Sequence, residues 1–195
     1  MNHVKVLIEG YAKERENGWV ASSSVTLVRA GDKVIVVDPG CNRKRLLEEL
    51  ENNDLKTSEI DFVLLTHSHA DHGLLAGIFE NAKVMTVEEI YDGDNQINHD
   101  NIIPGTDLGI IQTQGHCPEH CSLVVPTAEG VYVVAGDVFW WMDDEVQVLE
   151  LEKEDWAHPA EVNAENLIES RKRILGIADY VIPGHGKMFK IKKSN

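Results

Sequence analysis

The order of elements legible in the sequence is strands, a helix, more strands and a second helix. It predicts an α/β (α+β) chain in which two sheets pack together with helices outside. Three observations carry this. Short apolar runs rich in branched side chains are bounded by Gly, Pro and Asp, as strands are. Two stretches place leucine and isoleucine at helical spacing with charges opposite. Histidine or aspartate then recurs directly after an apolar run, beside glycine, at four separate places.

Val4–Ile8 reads as a first strand. Val20–Ala30 and Lys33–Val37 follow as strands joined through Ala30-Gly31-Asp32, a hairpin turn. Asp38-Pro39-Gly40 ends the second abruptly. Arg43–Leu50 carries Leu46, Leu47 and Leu50 on one helical face. Ile60–Leu65 is a buried strand, Leu74–Phe79 a short apolar helix, and Val84–Val87 a short strand. From Tyr91 to Thr106 the pattern dissolves into Asp, Gly and Asn, which reads as a surface loop holding His99.

Leu108–Thr113, Cys121–Val125 and Val131–Ala135 are strands, the last two joined by Thr127–Gly130. Val138–Met142 and an acidic stretch, Asp143–Asp155, come next. Glu161–Gly176 is helical, with Leu167, Ile168, Ile174 and Leu175 on its apolar stripe. Tyr180–Ile182 is the last strand. No linker or internal repeat interrupts the 195 residues, which are expected to form one domain.

Composition narrows the function classes. The net charge of −15 repels phosphate backbones and anionic membranes at long range, although bound divalent cations can dominate a local field. No apolar run spans a membrane, and Met1–Val6 lacks the order of a secretory signal, so a cytoplasmic location is expected. The three cysteines, Cys41, Cys117 and Cys121, suit a reducing compartment better than a disulfide framework. Cys117 and Cys121 read as small side chains at a strand edge rather than as structural zinc ligands. The terminal Lys187, Lys190, Lys192 and Lys193 read as a solvated segment.

The chemistry lies in Thr66-His67-Ser68-His69-Ala70-Asp71-His72-Gly73, between a strand end and a helix. Neutral imidazoles and a carboxylate at this spacing suit a borderline-soft divalent metal. Gly115-His116, Gly136-Asp137 and Gly184-His185 repeat the pattern of a strand delivering a metal-capable residue beside glycine. Four converging loops would supply His67, His69, Asp71, His72, His116, Asp137 and His185. That is too many donors for one tetrahedral ion and fits two, with one carboxylate bridging.

With these motifs in this order, preceded by Val37-Asp38-Pro39-Gly40, the chain resembles the metallo-β-lactamase superfamily. The resemblance implies an αββα sandwich of two mixed sheets with metals at one edge. It implies that His67, His69 and His116 hold one metal, that Asp71, His72 and His185 hold the other, and that Asp137 bridges. Asp38 would support the site from beneath.

The expected activity is that of a hydrolase in which a hydroxide between two divalent metals, zinc foremost with iron or manganese as alternatives, attacks a carbonyl or phosphoryl centre. Asp71 would orient the water and take its proton. An aspartate at 137 makes β-lactams a poor substrate class. The chain lacks the C-terminal helical region of glyoxalase II and the inserted domain of the large nucleases, which leaves a minimal branch of small hydrolases acting on a small molecule. An RNA endonuclease and an iron-dependent persulfide dioxygenase of the same superfamily are the rival readings, along with a non-catalytic metal-binding module. Of Trp140 and Trp141, adjacent on a strand, only one can wall a substrate pocket; core packing or a homodimer contact is the alternative use. His120 and His158 read as structural or exposed histidines rather than proton carriers.

Overall fold

The structure is a computed structural model that describes residues 1–192; Lys193 of the basic terminal segment lies outside them. The first half contains β1 (His3–Ile8), β2 (Tyr11–Arg15), β3 (Gly18–Ser22), β4 (Val25–Ala30), β5 (Lys33–Val37), α1 (Arg43–Asn52), β6 (Phe62–Leu64), α2 (Ala70–Gly73), β7 (Lys83–Met85), β8 (Glu89–Asp92) and β9 (Asn95–Asn98). The second half contains β10 (Gly109–Gln112), β11 (Cys121–Thr127), β12 (Gly130–Trp140), α3 (Ala164–Ile177), β13 (Tyr180–His185) and β14 (Phe189–Lys190).

A seven-stranded sheet runs β1-β4-β5-β6-β7-β8-β9, and a five-stranded sheet runs β10-β11-β12-β13-β14. Both are mixed: β5, β6 and β7 are parallel neighbours, as are β12 and β13, while the outer strands pair antiparallel. The layering follows from alternation along each strand. Val28, Ile35, Val37 and Leu64 of the first sheet meet Leu123, Val134 and Ile182 of the second in one buried cluster. Their chain neighbours Leu27, Val36 and Val63 face the other way, onto Leu46 and Leu50 of α1. Val133 and Val181 face outward onto Leu167 and Ile174 of α3. The result is helix, sheet, sheet, helix: the αββα sandwich.

The structure departs from the sequence reading in several places. The run Val20–Ala30 is two strands, not one: Ser23 and Ser24 break it, and β2 with β3 forms a separate two-stranded sheet. The hairpin turns through Glu16-Asn17, and Gly18, at φ 133°, opens β3 paired with Arg15. Tyr91–Thr106 is not simply a loop, because β8 and β9 form a hairpin around Gly93-Asp94 with Gly93 at φ 63°. β9 is exposed throughout, so polar residues are tolerated in it and the apolar alternation that marks a strand is absent. The helix expected at Leu74–Phe79 begins earlier, at Ala70, and is followed only by a 3-10 turn over Ala76–Ile78. Helical backbone therefore carries Asp71 and His72 themselves.

β12 does not stop before Gly136. It continues to Trp140, with register shifts either side of Gly136. Gly136 sits at φ 51°, and a Cβ there would lie 2.6 Å from Thr66 Oγ1 and 2.7 Å from His120 Nε2. Only glycine allows that bend and that approach. Among the described residues, no helix is long and apolar enough to cross a membrane.

Candidate metal centre

The four histidine- or aspartate-bearing segments meet at one edge of the sandwich. His67 Nε2 and His116 Nε2 each lie 3.0 Å from His69 Nδ1. Asp137 Oδ2 lies 3.9 Å from His67 Nε2 and 3.5 Å from His116 Nε2. On its other side Asp137 Oδ1 is 3.2 Å from His72 Nε2 and 3.7 Å from His185 Nε2. His185 Nε2 is 3.2 Å from Asp71 Oδ2. Ligand-capable atoms of His67, His69, His116 and Asp137 all lie within 4.8 Å of one another, as do those of Asp71, His72 and His185. One carboxylate thus stands between two groups of donors, one oxygen toward each.

The second nitrogen of each ring fixes its orientation. His116 Nδ1 lies 2.6 Å from Asp155 Oδ2, His72 Nδ1 is 2.9 Å from Asp38 Oδ2, and His185 Nδ1 is 3.1 Å from the Tyr11 carbonyl. His69 Nε2 is 3.3 Å from Glu161 Oε2. Each acceptor keeps the ring proton on its own side. At His67 the same result comes by relay. Thr66 Oγ1 donates to Asp38 Oδ2 at 2.7 Å, so its lone pair receives the His67 Nδ1–H at 3.0 Å. Thr66 N–H also donates to Asp38 Oδ1 at 2.8 Å. Asp38 alone therefore sets the tautomers of His67 and His72. The inner nitrogens of the five rings, Nδ1 of His69 and Nε2 of the other four, are thereby turned toward Asp137 and one another, the arrangement that orients metal-binding histidines.

At 3.0 Å from His69 Nδ1, the inner nitrogens of His67 and His116 are each too close to it for two facing lone pairs unless a proton or a cation lies between them. A cation with metal–nitrogen bonds of about 2.0–2.1 Å in tetrahedral geometry would set nitrogens roughly 3.3 Å apart. Buried His72 Nε2 and Asp137 Oδ1 have no hydrogen-bond partner among the described residues, a costly condition unless an ion satisfies them. The residues present fit divalent cations on both sides of Asp137.

Electrostatics divides the donors. Burial pushes the Asp137 carboxyl upward, but His72, His185 and His116 outweigh it and hold the group well below the usual carboxylate range. Burial, reinforced by neighbouring His72, holds His67 neutral. Burial also lowers His72, yet the Asp137 and Asp38 carboxylates overcome it and raise the ring well above its ordinary value. Burial likewise opposes charge on Asp71, and the His185 contact and His72 outweigh it, so Asp71 is ionised at neutral pH.

Several supporting residues carried no sequence signal. Asp155 is one acid among many between Asp143 and Asp155, yet its side chain is fully buried beneath His116. Its position comes from Arg171 of α3, a charged side chain turned inward, against the expectation that charges face away. Arg171 Nε donates to Val138 O at 3.0 Å, and Nη1 to Leu151 O and Lys153 O at 2.8 and 2.6 Å, which straps the acidic stretch to the sheet. Glu161, Thr66 and the Tyr11 carbonyl went unread for the same reason: their roles depend on what folds against them.

His120 is structural. Its Nδ1 lies 3.0 Å from Thr113 Oγ1, and its Nε2 accepts the Asp137 N–H at 3.1 Å; burial lowers its pKa to about 3. His158 is exposed at the mouth of the site, its ring 4.0 Å from that of His69. His99 is half-buried and held by the Thr86 carbonyl at 3.0 Å. Cys117 and Cys121 are fully buried, and neither belongs to the groups of side chains that could hold a metal. Trp140 lines a cavity beside Asp137 and His185, while Trp141 packs with Phe139 and Phe189 in the outer core, so the two neighbours do face opposite ways.

This fold, with histidine- and aspartate-bearing loops at one sandwich edge, defines an αββα protein with side-chain groups that could hold a metal. The chain belongs to the metallo-β-lactamase superfamily, whose family model matches residues 18–91. Metallo-β-lactamase domain-containing protein 1 of Xenopus laevis is 32% identical over 200 residues, which cover 97% of this chain and 82% of that protein. The mouse protein of the same name is also 32% identical, over 95% of this chain and 74% of its own. A probable metallo-hydrolase of Methanocaldococcus jannaschii is 28% identical over 97% and 90% of the two chains. Among solved structures, a metallo-β-lactamase family protein of Thermus thermophilus superposes with TM-score 0.68 at 17% identity, over 96% of this chain and 75% of that one. Another, solved in a di-iron-bound form, has TM-score 0.62 at 20% identity over 87% and 90%. Members of the superfamily bind divalent metals.

Proposed function

We propose that this chain is a metal-dependent hydrolase that holds two divalent cations, zinc foremost, and cleaves an ester, thioester, lactone or phosphodiester-type bond in a small molecule. The observation that carries it is Asp137: its two oxygens are divided between two groups of inward-facing nitrogens, and Oδ1 has no other partner. On this reading His67, His69 and His116 would hold one cation and Asp71, His72 and His185 the other, with Asp137 available to both.

The cations, when bound, lower the pKa of water toward about 7 and offset the charge that develops on the substrate oxygen. The protein supplies the rest. Asp71, ionised and with its side chain 30% exposed toward the cavity, orients the attacking water and accepts its proton. Asp38, Asp155 and the Tyr11 carbonyl keep the ring protons off the reacting side.

The test is an activity screen of metal-loaded protein across thioesters, lactones, phosphodiesters and RNA, with metal content measured on the same sample. Two metals per chain and hydrolysis that Asp71→Ala abolishes are expected. Asp71→Ala with full rate and both metals retained sinks the role given to Asp71. One iron per chain with oxygen uptake on persulfide replaces the hydrolase with an oxidoreductase. The net charge of −15 disfavours RNA, and RNA cleavage would return the nuclease reading.

A further inference from the structure

Three of the four tryptophans converge beside the donor groups from distant parts of the chain. Trp140 ends β12, Trp19 lies on the β2–β3 hairpin, and Trp156 follows the strapped acidic stretch. The Trp19 and Trp156 rings are 5.4 Å apart, as are those of Trp156 and Trp140, and Trp140 reaches to 6.5 Å from the His185 ring. They form a continuous aromatic face running outward from the donors. Trp19 is 48% exposed and Trp156 42%, although both are large and apolar. Surface patches of that kind mark binding sites.

The cavity that Trp140 and Trp19 line, with the Trp156 ring packed against both of theirs, has a volume of about 380 Å³ and reaches His69, Asp71, Asp137, His158 and His185. That is within the range of small-molecule sites, roughly 300–1,000 Å³. Ala12, Ala21, Ala70 and Ala157 complete its apolar wall, and no lysine or arginine lines it. Lys153 has its Nζ 4.7 Å from the Trp140 ring centroid, is paired with Glu145 at 3.1 Å and does not line the cavity. A phosphodiester or polyanion would therefore meet no lysine or arginine in this cavity.

We propose, building on the hydrolase reading above, that the substrate is a neutral ester, thioester or lactone whose medium-chain acyl or aryl group lies against Trp140, Trp156 and Trp19. These three tryptophans are the residues that determine specificity. Planar rings at this spacing favour a flat or extended apolar group, and its desolvation supplies binding without charge. Trp19 and Trp156 form the outer part of the wall, so they discriminate by length, while Trp140 holds the part nearest the scissile bond.

The test pairs turnover with binding on the full-length protein. In a series of N-acetylcysteamine thioesters (acetyl, hexanoyl, phenylacetyl), kcat/KM is expected to rise at least tenfold from acetyl to phenylacetyl, mainly through KM. Trp19→Ala and Trp156→Ala should each compress that ratio several-fold. Both residues are largely exposed, so neither change is expected to unfold the chain. Independently, hexanamide and phenylacetamide should quench tryptophan fluorescence saturably, with the affinity about tenfold weaker in the double variant.

Equal turnover of all acyl lengths with no amide binding overturns this inference and leaves the hydrolase reading standing. Saturable amide binding with no hydrolysis of any substrate does the reverse. A single-stranded RNA oligomer that quenches more strongly than either amide at physiological salt also overturns it.

Discussion

Asp155 Oδ2 lies 2.6 Å from His116 Nδ1, and both side chains are buried. The two lie 39 positions apart in the chain, and Arg171 is what holds the carboxylate's segment beside the histidine. Asp155→Asn should weaken metal binding roughly 10–100-fold, the usual cost of removing a partner behind a metal-bound histidine. Chelator competition measures this. Arg171→Met should give a smaller loss of affinity together with a lower melting temperature, because three carbonyls lose their donor.

Asp38 accepts from Thr66 N, Thr66 Oγ1 and His72 Nδ1 while 1% exposed. Asp38→Ala leaves those groups buried without a partner, at about 1–3 kcal/mol each. Denaturant unfolding should show the loss, and the protein should lose both metals rather than one, since the tautomers of His67 and His72 both depend on this carboxylate.

Gly184 faces Asp137 so closely that a Cβ at 184 would fall onto Asp137 Oδ1. Gly184→Ala should displace the carboxylate between the two donor groups. The expected result is loss of activity by more than tenfold and a reduced metal count, with overpacking costing about 1–3 kcal/mol of stability. Metal analysis with thermal melting checks both.

Removing metal should lower the melting point. An ion present at about a hundred times its Kd stabilises by about 2.7 kcal/mol, which for a chain of this size corresponds to about 5–10 °C. Calorimetry before and after chelation, with re-addition of zinc, reads it. An unchanged melting point would mean that the inward-facing nitrogens hold no ion.

Burial pushes the thiols of Cys117 and Cys121 well up, with Glu119 adding to the shift at Cys117 and Asp38 at Cys121. A raised thiol pKa leaves little thiolate at pH 8, so iodoacetamide should spare both in the native protein and modify the half-buried Cys41. Peptide mapping by mass spectrometry shows the pattern; denaturation should make all three react.

Much of this was legible in the sequence because it depends on local pattern. Leu46 and Leu50, the alternation of Val133 with Val134, and the glycine-flanked His116, Asp137 and His185 reveal themselves by periodicity or by a neighbour in the chain. The seven donor residues that the motifs singled out are the ones the structure brings together. The hairpins β2–β3 and β8–β9 leave little trace because exposed polar strands lack alternation, with Asn17 beside Gly18 and the pair Gly93-Asp94 as the local signals at their turns.

What the sequence by itself determined is the layered fold and the set of inward donors, since both follow from side-chain type at fixed spacing along strands and loops. Only the tertiary structure decided which acid serves which histidine, and which tryptophans share a wall. Asp155 looks like its acidic neighbours, and Trp19 and Trp156 are 137 positions apart in the chain. Their roles arise when Arg171 straps one segment and the β2–β3 hairpin brings up another, and such contacts between distant residues leave no periodic trace in the sequence.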